Sequence, residues 1–342
     1  MKPLILFTTL AFLAASRLHA QNSASLNDEA RFLAGMPVHG SALEAHSHSQ
    51  AWMEHATAMD SAFNKQEQRQ LAKVRAWSSA NVPGSGSSAT MYYMFSGPDF
   101  LYANAFYPNA STYILCGTEP IGNVPDIAKL DQAQLEGGLA GLRQSMKTIL
   151  DFHYFITKDM RVDLSRTQIS GTLPILFVFL ARTGNAVESV TNVSTPAPGV
   201  KITFTSGGHE QTLYYFKTDL SNGGRSAGFT KWCASQGPGL SLLKAASYLM
   251  HSSEFSNVRS FLLQNSRVIV QDDSGIPYHD LLGGGYEVHV YGAYQGPIQL
   301  FTKYNQPDLE QAYRTSNPGP LGFGFGYHWQ TERGMLMMAV RR

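Results

Sequence analysis

Hydrophobic positions along this chain recur with two different periods. Between residues 41 and 79, Trp52, Ala56, Met59 and Phe63 return every three or four positions, and Leu71, Val74 and Trp77 continue a similar face after a polar gap. That spacing predicts one long amphipathic helix or two shorter ones. Residues 81–88, NVPGSGSS, then form a linker rich in Gly, Ser and Pro, residue types that break periodic structure.

The segment 90–126, TMYYMFSGPDFLYANAFYPNASTYILCGTEPIGNVPD, changes period twice. A short apolar run at 91–95 ends in the turn Ser96-Gly97-Pro98-Asp99. Helical spacing follows over 100–107, and a second apolar run at 112–116 breaks into the turn Gly117-Thr118-Glu119-Pro120. This strand, helix, strand order predicts an open α/β sheet, and such sheets bind ligands at the ends of their strands.

Further on, Leu135, Leu139, Leu142, Met146 and Ile149 mark a helix within 131–155, weakened by Gly137 and Gly138. Residues 173–180, LPILFVFL, are apolar throughout, so period does not decide; bulky and β-branched content points to a buried strand. Runs at 187–193, 200–205 and 212–218, separated by Gly- and Pro-containing turns, predict an antiparallel meander. Helices are expected at 228–234, 240–263 and 308–313, and strands at 267–270, 286–294 and 335–340. The alternation of Gly with Phe323 and Phe325 over 322–326 reads as a strand with both rings on one face. The expected fold class is therefore α/β: a layered mixed sheet with helices on both faces, an antiparallel extension and a helical N-terminal segment.

Composition adds a compartment. Lys2, the apolar run 4–15 and the small-residue ending Leu18-His19-Ala20 have the form of a secretory signal peptide. The expected organisation is a signal peptide at 1–20, a helical segment at 21–80 and an α/β domain at 81–342, with the mature protein secreted or periplasmic. No later run is apolar for long enough to predict an integral membrane span. The 26 basic residues, two of them in the leader, nearly balance 25 acidic ones without clustering, which argues against a nucleic-acid partner. With 43% hydrophobic and only 15% charged residues, the chain has the means to bury a large core. Cys116 and Cys233 are the only cysteines; an oxidising compartment permits a disulfide, but the apolar surroundings of Cys116 favour a free buried thiol.

The candidate chemistry is acidic. Asp99, Glu119 and the pair Asp272 and Asp273 each sit in a turn directly after an apolar run. Neighbouring strands would bring these carboxylates together as an acid and base pair or as oxygen ligands for a divalent cation. Each also has a structural reading, as helix cap or turn residue. Ser96 and Tyr102 are the binding candidates, and rings beside carboxylates suit a small-molecule or glycan ligand. His46, His48, Glu54 and His55 lack the helical spacing of a shared metal site and read as a solvated face. There is no G-x-S-x-G elbow and no H-E-x-x-H helix, although His251, His279, His289 or His328 could approach Ser96 through the fold. No nucleotide cofactor is expected, because neither phosphate-binding glycine motif is present in its required context. Two functional readings follow: a hydrolase-like protein with a carboxylate-lined pocket, or a non-catalytic extracytoplasmic ligand-binding or envelope protein.

Overall fold

The computed structural model describes residues 24–155 and 168–342. Its centre is a nine-stranded mixed sheet: β1 (Thr90–Tyr93), β2 (Thr112–Gly117), β3 (Ala186–Val193), β4 (Gly199–Ser206), β5 (His209–Lys217), β6 (Gly239–Leu243), β7 (Ser266–Gln271), β8 (Tyr286–Gly292) and β9 (Met335–Arg341), in the spatial order β3-β4-β5-β2-β1-β6-β7-β9-β8. The middle five strands, β5-β2-β1-β6-β7, are parallel. Antiparallel pairs extend the sheet at both edges.

The helices are α1 (Leu26–Leu33), α2 (Gln50–Gln66), α3 (Ala72–Asn81), α4 (Phe100–Phe106), α5 (Gln132–Phe152), α6 (Thr172–Arg182), α7 (Ser226–Ser235), α8 (Ser256–Asn265), α9 (Tyr278–Gly283) and α10 (Pro307–Ser316), with a single helical turn at Glu44–Ser47. Strand alternation divides the core into two layers. Met91, Tyr93, Leu115 and Leu242 pack under α1 to α6, while Tyr92, Met94, Ile114 and Ile269 pack against α7, α8 and α9.

The chain leaves β1 in one direction through α4 to β2, and later reaches β6, on the other side of β1, through α7. Right-handed crossovers running in opposite directions place their helices on opposite faces of the sheet, as α4 and α7 are. The order therefore reverses between β1 and β6, and a crevice opens where the two crossovers diverge.

The predicted strand, helix, strand unit and the antiparallel meander are present; the second antiparallel edge, β7-β9-β8, was not predicted. The N-terminal helices α2 and α3 are joined through a π-helical turn at Glu67–Leu71, so 50–81 is one continuous helical rod. Phe32, Trp52, Phe63 and Val74 share one core with the sheet. Four expectations are corrected. Residues 173–180 lie in helix α6, whose residues from Thr172 to Ala181 are all buried; a helix covered on every side carries no amphipathic period. The predicted helix 240–263 is instead strand β6, two 3-10 turns and α8. Gly322 to Gly326 is a turn with one isolated bridge between Phe325 and His328, although Phe323 and Phe325 are both buried. His55 is not on a solvated face: it is fully buried, with Nε2 2.8 Å from Leu33 O and Nδ1 3.1 Å from Arg143 Nη1. Burial pulls this histidine down to about 4, so it is neutral in the core. The leader-like residues 1–20 lie outside the described residues.

Candidate ligand pocket

A cavity of about 560 Å³ occupies the crevice over the carboxyl ends of β1, β2, β5 and β6, within the size range of small-molecule sites. The turn after β1 contributes Ser96 and Asp99, that after β2 Glu119, that after β5 Thr218 and Asp219, and that after β6 Lys244. Backbone strain concentrates on the same rim. Phe95, Ala245, Ser247 and Tyr248 all have φ between 51° and 60° without being glycine, a conformation costing about 1–2 kcal/mol per residue and held only where surrounding contacts impose it.

Lys244 closes the cavity floor. Its ammonium lies 2.6 Å from Asp99 Oδ2 and 3.5 Å from the centre of the Tyr102 ring, and it donates to His153 O. Both side chains of the ion pair are essentially inaccessible. Asp99 also caps α4, accepting from Tyr102 N at 3.1 Å, and accepts from Tyr93 O–H at 2.8 Å. Burial pulls Lys244 below the ordinary lysine value, against the opposing pull of Asp99. Burial, reinforced by the Asp99 charge, pushes Tyr93 and Tyr102 well up. Behind this pair, Gln66 Nε2 lies 3.0 Å from Tyr102 Oη and 3.1 Å from His153 Nδ1, while Gln70 Nε2 reaches His153 Nε2 at 2.6 Å. The π-helical turn brings Gln66 and Gln70 inward together, a recurrent use of such turns at functional sites. Burial, with Lys244 adding its charge, pulls His153 down to about 3.

Glu119 is the other buried acid of the cavity, with 1% exposure. Its Oε2 accepts from Tyr215 O–H at 3.1 Å, and among the described residues no basic side chain pairs with it. Gly117 makes this placement possible, because a Cβ there would overlap the Glu119 carboxylate. Thr218 is also buried at 5% exposure, and its Oγ1 has no hydrogen-bond partner among the described residues. Ser96, by contrast, is fully engaged: Oγ donates to Gly97 O at 2.8 Å and accepts from Cys116 N at 3.1 Å. No histidine hydrogen-bonds it among the described residues, so its hydroxyl ties the end of β1 to the end of β2.

Asp272 and Asp273 stand outside the cavity and support its wall. Asp272 Oδ2 accepts from Ala245 N at 3.0 Å and Tyr327 N at 3.1 Å, while Oδ1 accepts from Ser274 N and Oγ. Asp273 accepts from Tyr248 O–H at 2.6 Å and faces His328 Nε2 at 3.0 Å. Burial, then the neighbouring Asp273 charge, pushes Asp272 up to about 6 despite those donors. Burial disfavours charge on His328, but the Asp273 hydrogen bond and both aspartate charges outweigh it and raise its pKa. This turn after β7 therefore holds the strained 245–248 loop in position.

Of the six residues singled out from sequence, Ser96, Asp99 and Glu119 meet at the cavity. Tyr102 lies beneath Lys244, and Asp272 with Asp273 buttress the neighbouring loop. Lys244, Thr218 and Asp219 were missed. The available signal was a lone lysine ending the short, mostly apolar run Gly239–Leu243, which reads as a strand end once the run is taken as β6. No three or more His, Cys, Asp or Glu side chains among the described residues are grouped to hold a metal. No family model, curated protein or solved structure matches the chain.

Proposed function

We propose that the protein binds a small organic molecule in the crevice between β1 and β6, and that its function is ligand recognition by an exported protein. The single observation that carries this reading is the buried Glu119 carboxylate, held beside a cavity of about 560 Å³ without a basic partner among the described residues. A polar group of that kind, set among rings, gives orientation and specificity to an otherwise apolar pocket. Strained backbone on the rim supports the same location. The leader-like residues 1–20 support export.

Binding is better supported than hydrolysis. Ser96 has its hydroxyl committed to backbone groups, and Asp99 is neutralised by Lys244. A hydrolytic use of the pocket would rest on Glu119 as general base, with the exposed Asp219 at the mouth as the other unpaired acid of the described lining. Soaking crystals with a fragment library tests the reading. Fragments are expected to collect between residues 94–99 and 244–249; a screen whose hits all lie elsewhere would reject it.

A further inference from the structure

We infer that the ligand is an organic cation, an inference that rests on the pocket being a binding site. Among the described residues, the charged side chains on its wall are Asp99, Glu119, Asp219 and Lys244. Lys244 and Asp99 cancel each other at 2.6 Å. Two acids remain, Glu119 at depth and Asp219 at the exposed mouth, and among the described residues the lining contains no further lysine, arginine or histidine. Asp219 Oδ1 accepts from Ser221 N at 2.9 Å, which fixes its carboxyl without neutralising it.

The rest of the wall suits the same ligand. Phe95 and Phe255 meet edge to face at 5.7 Å, and Tyr327 contacts Phe301 at 5.3 Å and Tyr154 at 5.2 Å. Rings present a negative face to a cation, and a carboxylate deep in a low-dielectric pocket strengthens that attraction. Lys244 over the Tyr102 ring is an internal example of the same contact, made in the floor of this cavity. Thr218, on the lining beside the end of β2, has a buried hydroxyl with no partner among the described residues, and a hydroxyl oxygen can accept from an ammonium N–H. An anion would meet two uncompensated carboxylates, which sets the sign of the discrimination.

Three fluorescent probes that share one fluorophore and differ in the charge of a short arm test this on the full chain: dansylcadaverine, a cation; N-butyl dansylamide, neutral; and dansylglycine, an anion. The cation is expected to bind at least about tenfold tighter than the neutral probe, with the anion weakest. Glu119→Gln should reduce that preference about tenfold. Asp219→Asn, an exposed change that keeps the Oδ1 acceptor and so the fold, should reduce it by a smaller factor and make the remainder less dependent on salt. Equal or tighter binding of the neutral or anionic probe, with fragments still found in the crevice, would overturn the cation assignment and leave the pocket standing. A preference for the cation that survives both substitutions unchanged would also overturn it. Failure of all three probes together with an empty fragment screen would remove the pocket reading itself.

Discussion

Lys244 Nζ lies 2.6 Å from Asp99 Oδ2 in a setting where neither side chain reaches solvent. The pair joins two parts of the chain that are far apart in sequence and neighbours in the sheet, the turn after β1 and the turn after β6, at the point where strand order reverses. A buried pair of this kind contributes little net stability compared with an apolar replacement, but losing one member leaves an uncompensated charge. Lys244→Met should therefore cost about 3–5 kcal/mol. Combining it with Asp99→Asn, which keeps the Oδ1 acceptor for Tyr102 N, should restore much of the loss. Thermal melts of the two single variants and the double variant measure this; strictly additive losses would mean the charges do not interact.

The carboxylate of Asp272 leaves no room for a side chain at Gly326. That glycine has φ of 58°, and a Cβ built there would overlap Asp272 Oδ2. Gly326→Ala would have to displace the acceptor that Ala245 N and Tyr327 N share. Gly322, at φ 73° with open space around it, provides the control. Gly322→Ala should cost about 1 kcal/mol for the backbone conformation alone, and Gly326→Ala at least about 1–3 kcal/mol more for the crowding. Equal melting points for the two variants would show that Asp272 can shift freely.

The same loops show how far the residues could be read without coordinates. Strand-end turns were legible, because an apolar run followed by Gly, Pro and an acid carries a local signal in each case: Ser96 to Asp99, Gly117 to Glu119, and Asp272 to Gly275. Which of these turns face the cavity was not legible. Asp99 and Asp272 have the same local pattern, yet Asp99 lines the pocket while Asp272 points its oxygens at the backbone of two other loops. That difference arises from strand order, which follows from crossover direction and long-range pairing. Helix α6 was misread for a different reason: burial on all sides removed the contrast on which period depends. Lys244 was hidden by the opposite misreading: the short, mostly apolar strand of five residues runs without a breaker into the following helical turns, so 240–263 carries one continuous apolar pattern.

Glu29 on α1 makes stability depend on pH. Burial, with Asp126 and Asp28 adding like charge, pushes its carboxyl up to about 7, and Oε2 has no partner among the described residues. The folded state thus holds a proton that the unfolded chain releases near 4.5. Stability from this group is fully present below pH 4.5 and declines as pH rises to about 7. Glu29→Gln keeps the neutral form at every pH. Allowing for solvent screening of a partly exposed group, it should stabilise the protein by about 1 kcal/mol above pH 7, or about 2 °C in Tm, and leave it unchanged at pH 4. A Tm difference that is flat from pH 4 to 8 would contradict this.

Cys116 and Cys233 allow a chemical test of the layer opposite the N-terminal helices. Both thiols are free and buried against the same core, Cys116 at the end of β2 with Sγ 3.6 Å from Met94 Sδ, and Cys233 on α7. Burial is the first cause that pushes Cys116 up to about 12, and it raises Cys233 as well. The reactive species is the thiolate, so inaccessibility and a raised pKa both slow reaction. The native protein should be silent towards a disulfide reagent such as DTNB at pH 8 and should yield two thiols per chain in denaturant. Two thiols titrating rapidly before unfolding would show that the α7 layer opens readily. No thiols in either state would show that the two cysteines pair in solution.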